Sequence, residues 1–160
     1  MDDLLLPFFQ WCYTTPVGEG IRESTWLFPV IEAVHLLGFG LAAGAVLVVD
    51  LRLLGVGLSK QPGAQLWANA KPWLLGSLVL MFASGIPLVL SESMKCYYST
   101  AFWIKMLALF LAIVLTFTLV PRVAQTSSTA DRPGLRKMTA LTSIGLWFLV
   151  AWGGRWIGFS

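Results

Sequence analysis

An all-α, integral-membrane four-helix bundle with both termini on the outer side is the fold class this sequence predicts, and three observations predict it. Of 160 residues, 57% are hydrophobic and 12% charged, whereas an ordinary soluble domain carries about 25% charge. The apolar residues gather into four runs, Trp26–Val49, Trp73–Leu90, Ala101–Val120 and Met138–Ile157, each near the ~20 residues that cross a ~30 Å hydrocarbon layer at ~1.5 Å per residue. Basic residues fall in alternate loops between the runs. The expected organisation is an outer interfacial segment over residues 1–25 and a transmembrane domain over residues 26–157.

Taken in order, residues 1–25 lack the basic region, short apolar core and small-residue cleavage site of a secretory signal. Their Leu4-Leu5-Leu6-Pro7-Phe8-Phe9-Gln10-Trp11 run reads as a short interfacial segment, not a fifth span. Asp50 and Arg52 close the first apolar run, Lys71-Pro72-Trp73 opens the second, and Pro121-Arg122 closes the third. Proline fits the first turn of a helix, where its missing N–H costs little. Trp26, Trp73, Trp103, Trp152 and Trp156 lie near the proposed ends, where an indole keeps its body in lipid and its N–H among headgroups. Some of them could equally line a ligand pocket.

Loop charge sets the expected orientation. The Leu51–Pro72 loop carries Arg52, Lys60 and Lys71, and the Pro121–Lys137 loop carries Arg122, Arg132, Arg136 and Lys137, so both are expected on the cytoplasmic side. Residues 1–25 hold Asp2, Asp3, Glu19 and Glu23 against Arg22 alone, and the Ser91–Thr100 turn holds Glu92 and Lys95. The net charge of +3 is then a matter of cytoplasmic anchors, and nucleic acid is not expected as a partner. Cys12 and Cys96 fall on the same outer side, where a disulfide between them is chemically allowed; residues 1–25 could equally hold Cys12 far from Cys96.

Glu32-x-x-His35 places a carboxylate and the only histidine on one face of the first membrane helix. Ionisable groups at such depth are usually paired, ligating or functional. Lys105 on the third run and Arg155 near the end of the fourth lie at matching depth, so Glu32 with Lys105 or Arg155 is the expected charge compensation. Inward of His35 come Gly38, Gly40, Ala42, Ala43, Gly44 and Ala45, a smooth surface open to a neighbouring helix or to a flat ligand. His35 admits three readings: a hydrogen-bonded structural histidine, a proton-transfer group, or an axial haem ligand with His35 bound to the metal. A second axial ligand would have to come from Met81, Met106, Lys105 or another chain. No CxxCH motif is present, so any haem is noncovalent. Asp50-Leu51-Arg52 reads as a charge network at a helix exit, with Asp50 able to reach Lys71.

Through Ile31-Glu32-Ala33-Val34-His35-Leu36-Leu37-Gly38, Asp50-Leu51-Arg52-Leu53-Leu54-Gly55, Lys71-Pro72-Trp73 and Phe102-Trp103-Ile104-Lys105, the chain resembles a bacterial family of small, uncharacterised four-helix inner-membrane proteins over roughly residues 26–155. That resemblance implies a bacterial inner-membrane location and a fold. More distantly, His35, the small-residue helix and Arg52 resemble membrane haem proteins of the copper-resistance D and bacterial protoporphyrinogen-oxidase type. By that resemblance His35 and Lys105 take the cofactor-binding positions and haem b is the implied cofactor. Glu32 and Asp50 are acidic groups outside that pattern.

No HExxH, phosphate-binding glycine loop or nucleophile triad points to an enzyme. With no substantial extramembrane domain, the functional expectation is a membrane haem-binding or electron-transfer subunit working with a larger redox partner. Its partners would be lipid, a homo-oligomer or larger redox complex, and quinone. The competing reading is a structural membrane-anchor subunit without a cofactor.

Overall fold

A computed structural model describes residues 2–57, 61–125 and 133–158. It is all-helical among those residues, with seven helices: α1 (Asp2–Tyr13), α2 (Pro16–Glu23), α3 (Leu27–Leu54), α4 (Gly63–Ser91), α5 (Ser93–Tyr98), α6 (Thr100–Gln125) and α7 (Pro133–Ile157). Lys60 and Arg132, two of the loop charges, lie outside the described residues.

The four-helix bundle is corrected on two counts. Three helices, α3, α4 and α6, are long and apolar enough to cross a membrane. The fourth run forms α7, which has 25 residues but falls short in hydropathy, because Arg136, Lys137, Thr139, Ser143, Gly153 and Arg155 interrupt its apolar residues. The expected outer segment and central turn are themselves helical, as α1, α2 and α5. Both termini on the outer side is also not carried by the fold, since no contact within the chain assigns them a side.

The helix ends shift for identifiable reasons. Helix α4 starts at Gly63 behind Pro62, so Pro72 sits inside it with Pro87 instead of opening it. Pro121 likewise lies inside α6, which runs on to Gln125. Membrane helices accommodate such prolines by local readjustment of the freed carbonyl. Helix α3 runs past Asp50 to Leu54 and stops at Gly55, whose φ of +81° suits a residue without a Cβ. There the Gly55 amide donates to Arg52 O and the Val56 amide to Leu51 O, while Arg52 Nε donates to Gln61 O at 2.8 Å.

Helix α3 packs along α4 and α7, and α6 packs along α7. The shared core joins Ala42, Val46 and Val49 of α3, Leu74 and Leu78 of α4, Ala112 and Val120 of α6, and Ala140 and Trp147 of α7. Small residues at the seams bring backbones close, which matters because lipid is as apolar as leucine and dispersion between close-packed surfaces has to supply the attraction. Trp26, Trp73, Trp103, Trp152 and Trp156 are all exposed, as interfacial indoles should be.

A second cluster caps one end of the bundle, where Phe9 of α1, Cys96 of α5 and Phe102 of α6 are buried together against Tyr97 and Ile157. Thr15 starts α2 by accepting from the Gly18 amide, with Pro16 following. Arg22 then ties α2 down, donating to Ser91 O at 3.0 Å and to Tyr13 O at 2.7 Å. Gly18 is required at this crossing, because a Cβ there would stand 2.5 Å from Leu90 O.

Candidate functional site

The polar site predicted around His35 lies near this capped end. His35 is half-buried on α3, and its Nδ1 is 3.0 Å from the Ser84 Oγ on α4. The single proton of the Ser84 hydroxyl is directed to Leu80 O at 2.7 Å. With that proton so placed, the Ser84 oxygen is free to accept from Nδ1–H, the tautomer in which Nε2 keeps the lone pair. The Met81 backbone also lies within hydrogen-bonding reach of the ring. Gly85 permits the arrangement, since a Cβ on it would stand 3.0 Å from His35 Cε1.

Lys105 enters from α6 and lies against α7, where a Cβ on Gly153 would stand 2.9 Å from Lys105 Cβ and one on Gly154 would stand 3.5 Å from Nζ. Its charge is within electrostatic reach of both His35 and Cys96. The fold thus brings His35, Lys105 and Cys96 to one level from three helices. Glu32 is exposed on α3, and no ion pair joins it to Lys105 among the described residues. Arg155 is exposed in the last turn of α7. Met81 is in the core, with its Cγ 3.2 Å from where a Cβ on Gly38 would be, and Met106 is exposed.

Cys12 and Cys96 are both free and buried. Burial pushes the Cys96 thiol up to about 11, with Lys105 pulling the other way, and burial also raises Cys12. A thiol whose value lies above the ordinary range stays protonated at pH 8, and the thiolate is the nucleophile. Alkylation of the folded protein at pH 8 is therefore expected to be slow at both cysteines, to accelerate toward pH 11 at Cys96, and to become fast at pH 8 on unfolding. Mass-resolved maleimide labelling over time checks this, and rapid labelling of Cys96 in folded protein at pH 8 would contradict it.

The haem and electron-transport expectation is not matched. His35 is seated in the α3–α4 seam and Lys105 in the α6–α7 seam, and among the described residues no three or more His, Cys, Asp or Glu side chains form a group that could hold a metal ion.

Sequence reading missed Ser84, Gly85, Gly153 and Gly154 as the residues that seat the two basic groups. Ser77 and Ser84 were the available signal: two hydroxyl residues seven apart in an apolar run mark one helix face. Sequence reading placed Asp50 in a charge network at the helix exit, whereas Asp50 is fully buried with neither carboxylate oxygen hydrogen-bonded by strict geometry. The Asp50–Lys71 contact is not made, and Lys71 is exposed.

Three long apolar helices, a fourth packed along them and an aromatic cap over one end define a multi-pass, all-helical membrane protein. A polar site lies inside it. A family model described as a family of unknown function (DUF6644) matches residues 8–160, and the chain belongs to that family. No curated protein and no solved structure matches it, so the likeness to the haem-protein families gains no support.

Proposed function

We propose that this protein is a membrane subunit of the bacterial cytoplasmic membrane that works beside a larger partner and offers it one polar group, the Nε2 of His35. The observation that supports this reading is the Ser84 hydrogen bond, which favours Nδ1–H and so an acceptor Nε2 near the Lys105 charge. An imidazole held in one tautomer is prepared to take a proton or a donor group without first reorienting. The basic residues Arg52 and Lys71 on one loop and Arg122, Arg136 and Lys137 on the other favour a cytoplasmic position for those loops.

Because the chain has one histidine, its ring nitrogens give unambiguous signals in nitrogen-15 NMR of the labelled protein in nanodiscs. The Nδ1–H tautomer is expected in the wild type, and Ser84→Ala should shift the population toward Nε2–H. A wild-type ring already in the Nε2–H form, unchanged by Ser84→Ala, would overturn the assignment. A Soret band in the purified protein that disappears in His35→Ala would replace this reading with a haem site. The anchor reading without a site would follow if His35→Gln left co-purification with the partner and its activity at wild-type level.

A further inference from the structure

Asp50 is set apart from the His35 site by fifteen residues along α3, or ~22 Å of helix. It is completely buried, yet both of its carboxylate oxygens lack a partner. Across the seam on α7, Ser143 is also completely buried, and its hydroxyl lacks a partner too. Ser143 is the side chain that acts on Asp50. The carboxylate and the hydroxyl therefore face each other between two helices, and the one proton Ser143 could offer leaves at least one Asp50 oxygen without a donor. Such a cluster is costly in an apolar interior unless something supplies positive charge or donors.

No described cation hydrogen-bonds to the Asp50 carboxylate. Arg52 is turned to Gln61 O, and Lys71 is exposed on α4. Arg136 lies two turns before Ser143 on α7, and its own Nε is without a partner.

Space for an outside group lies beside Asp50. A cavity of about 210 Å³ opens between α3 and α7 with Asp50 in its lining, and every other lining residue is apolar. Phe39, Trp147 and Phe148 supply aromatic wall, and Ala43 and Ala151 leave the room. Trp147 is held in place by donation from Nε1 to Thr116 Oγ1 at 3.3 Å. Leu47 and Phe148, which line it, are themselves exposed, as apolar side chains that meet lipid would be. For scale, an engineered apolar cavity of about 150 Å³ accepts benzene, so this one suits a single ring or a short branched chain bearing a small head.

We propose that the α3–α7 cavity binds a lipid-soluble organic cation, with an ammonium head set against Asp50 and an apolar body against Phe39, Trp147 and Phe148. The charge selects the class. A neutral body would satisfy the aromatic walls but leave the carboxylate without a counter-ion, and a hydrated metal ion would leave the apolar walls unused. An ammonium on an apolar body satisfies both, with the Trp147 and Phe39 rings adding attraction for the cation. Entry from the bilayer follows from the exposure of Leu47 and Phe148.

The test uses the full chain in nanodiscs with benzylammonium as probe, benzyl alcohol as its neutral counterpart, and sodium ion alone, each followed by calorimetric titration. Saturable binding of benzylammonium is expected, with benzyl alcohol at least 30-fold weaker. Asp50→Asn, which keeps the shape, should weaken benzylammonium at least 30-fold. Ala151→Phe, which fills the cavity while leaving Asp50 in place, should abolish its binding. Circular dichroism and a sharp unfolding transition identify folded variants, and Ala43→Leu replaces Ala151→Phe if that variant does not fold. Absence of saturable binding to the wild type, equal binding of the neutral counterpart, or unchanged affinity in Asp50→Asn would overturn the proposal. Sodium binding that depends on Asp50 and displaces the amine would overturn it in favour of an inorganic cation site.

Discussion

Trp147→Ala is expected to destabilise the protein by about 3 kcal/mol. Large-to-small changes at buried aromatic positions cost about 3–5 kcal/mol in soluble cores. The lower end applies here, because lipid offers the unfolded side chain an apolar environment and the loss is chiefly of close packing. Trp147 is 4% exposed and belongs to the core shared by the long helices. Its ring packs 6.2 Å from that of Phe39 on α3, and its indole donates to Thr116 on α6. Removing it loosens α7 from both neighbours and leaves the Thr116 hydroxyl oxygen without that donor. Trp147→Phe keeps most of the volume and should lose about 1 kcal/mol, the scale of one net hydrogen bond. Reversible unfolding in mixed micelles, followed by helical circular dichroism, measures both; an Ala variant as stable as the wild type would show that this seam does not hold the bundle together.

Gly153→Leu should cost about 2–3 kcal/mol and also displace Lys105. A Cβ at Gly153 would lie 2.9 Å from Lys105 Cβ and 3.1 Å from Ala101 O. Neither is the free end of a flexible side chain, so α6 and α7 must separate, and overpacking of this kind costs about 1–3 kcal/mol. Gly145 on the same helix is an internal control: a Cβ there meets nothing within 4 Å, and Gly145→Leu is expected to change stability by no more than about 0.5 kcal/mol. The contrast distinguishes seam geometry from any general effect of replacing glycine. Amine-reactive labelling supplies a second readout, because Lys105 pushed off the Gly153-Gly154 surface becomes more accessible. Equal stabilities and equal Lys105 labelling in the two variants would contradict the packing described for the α6–α7 seam.

Much of the helical content was legible in the sequence, because long apolar runs need internally satisfied backbone hydrogen bonds in a membrane. The end of α3 was read at Asp50 and Arg52, short of Gly55, whose left-handed φ ends the helix. His35 and Lys105 could be nominated because charge or imidazole inside an apolar run is visible without knowing what surrounds it. Composition counted four spans because it averaged over α7, where hydroxyl, glycine and basic residues lower the hydropathy although the helix is long. It passed over α1, α2 and α5 because short helices are stabilised by what they pack on, here the Phe9–Cys96–Phe102 cluster and the Arg22–Ser91 contact.

The sequence by itself determined the all-helical membrane class and nominated its ionisable groups. Only the tertiary structure decided which way those groups point. Helix α3 is apolar nearly all round, so its periodicity marks no preferred face. Asp50, beside Arg52 at the edge of an apolar run, read as part of a charge network at the helix exit; α3 continues past it and turns its carboxylate toward Ser143 on α7. His35 read equally as ligand, proton carrier or packed side chain until Ser84 and Gly85 arrived from α4 to fix its ring. The physical reason is common to both cases. Hydropathy depends on residue type alone, whereas burial, hydrogen-bond partner and charge compensation depend on which neighbouring helix occupies the seam.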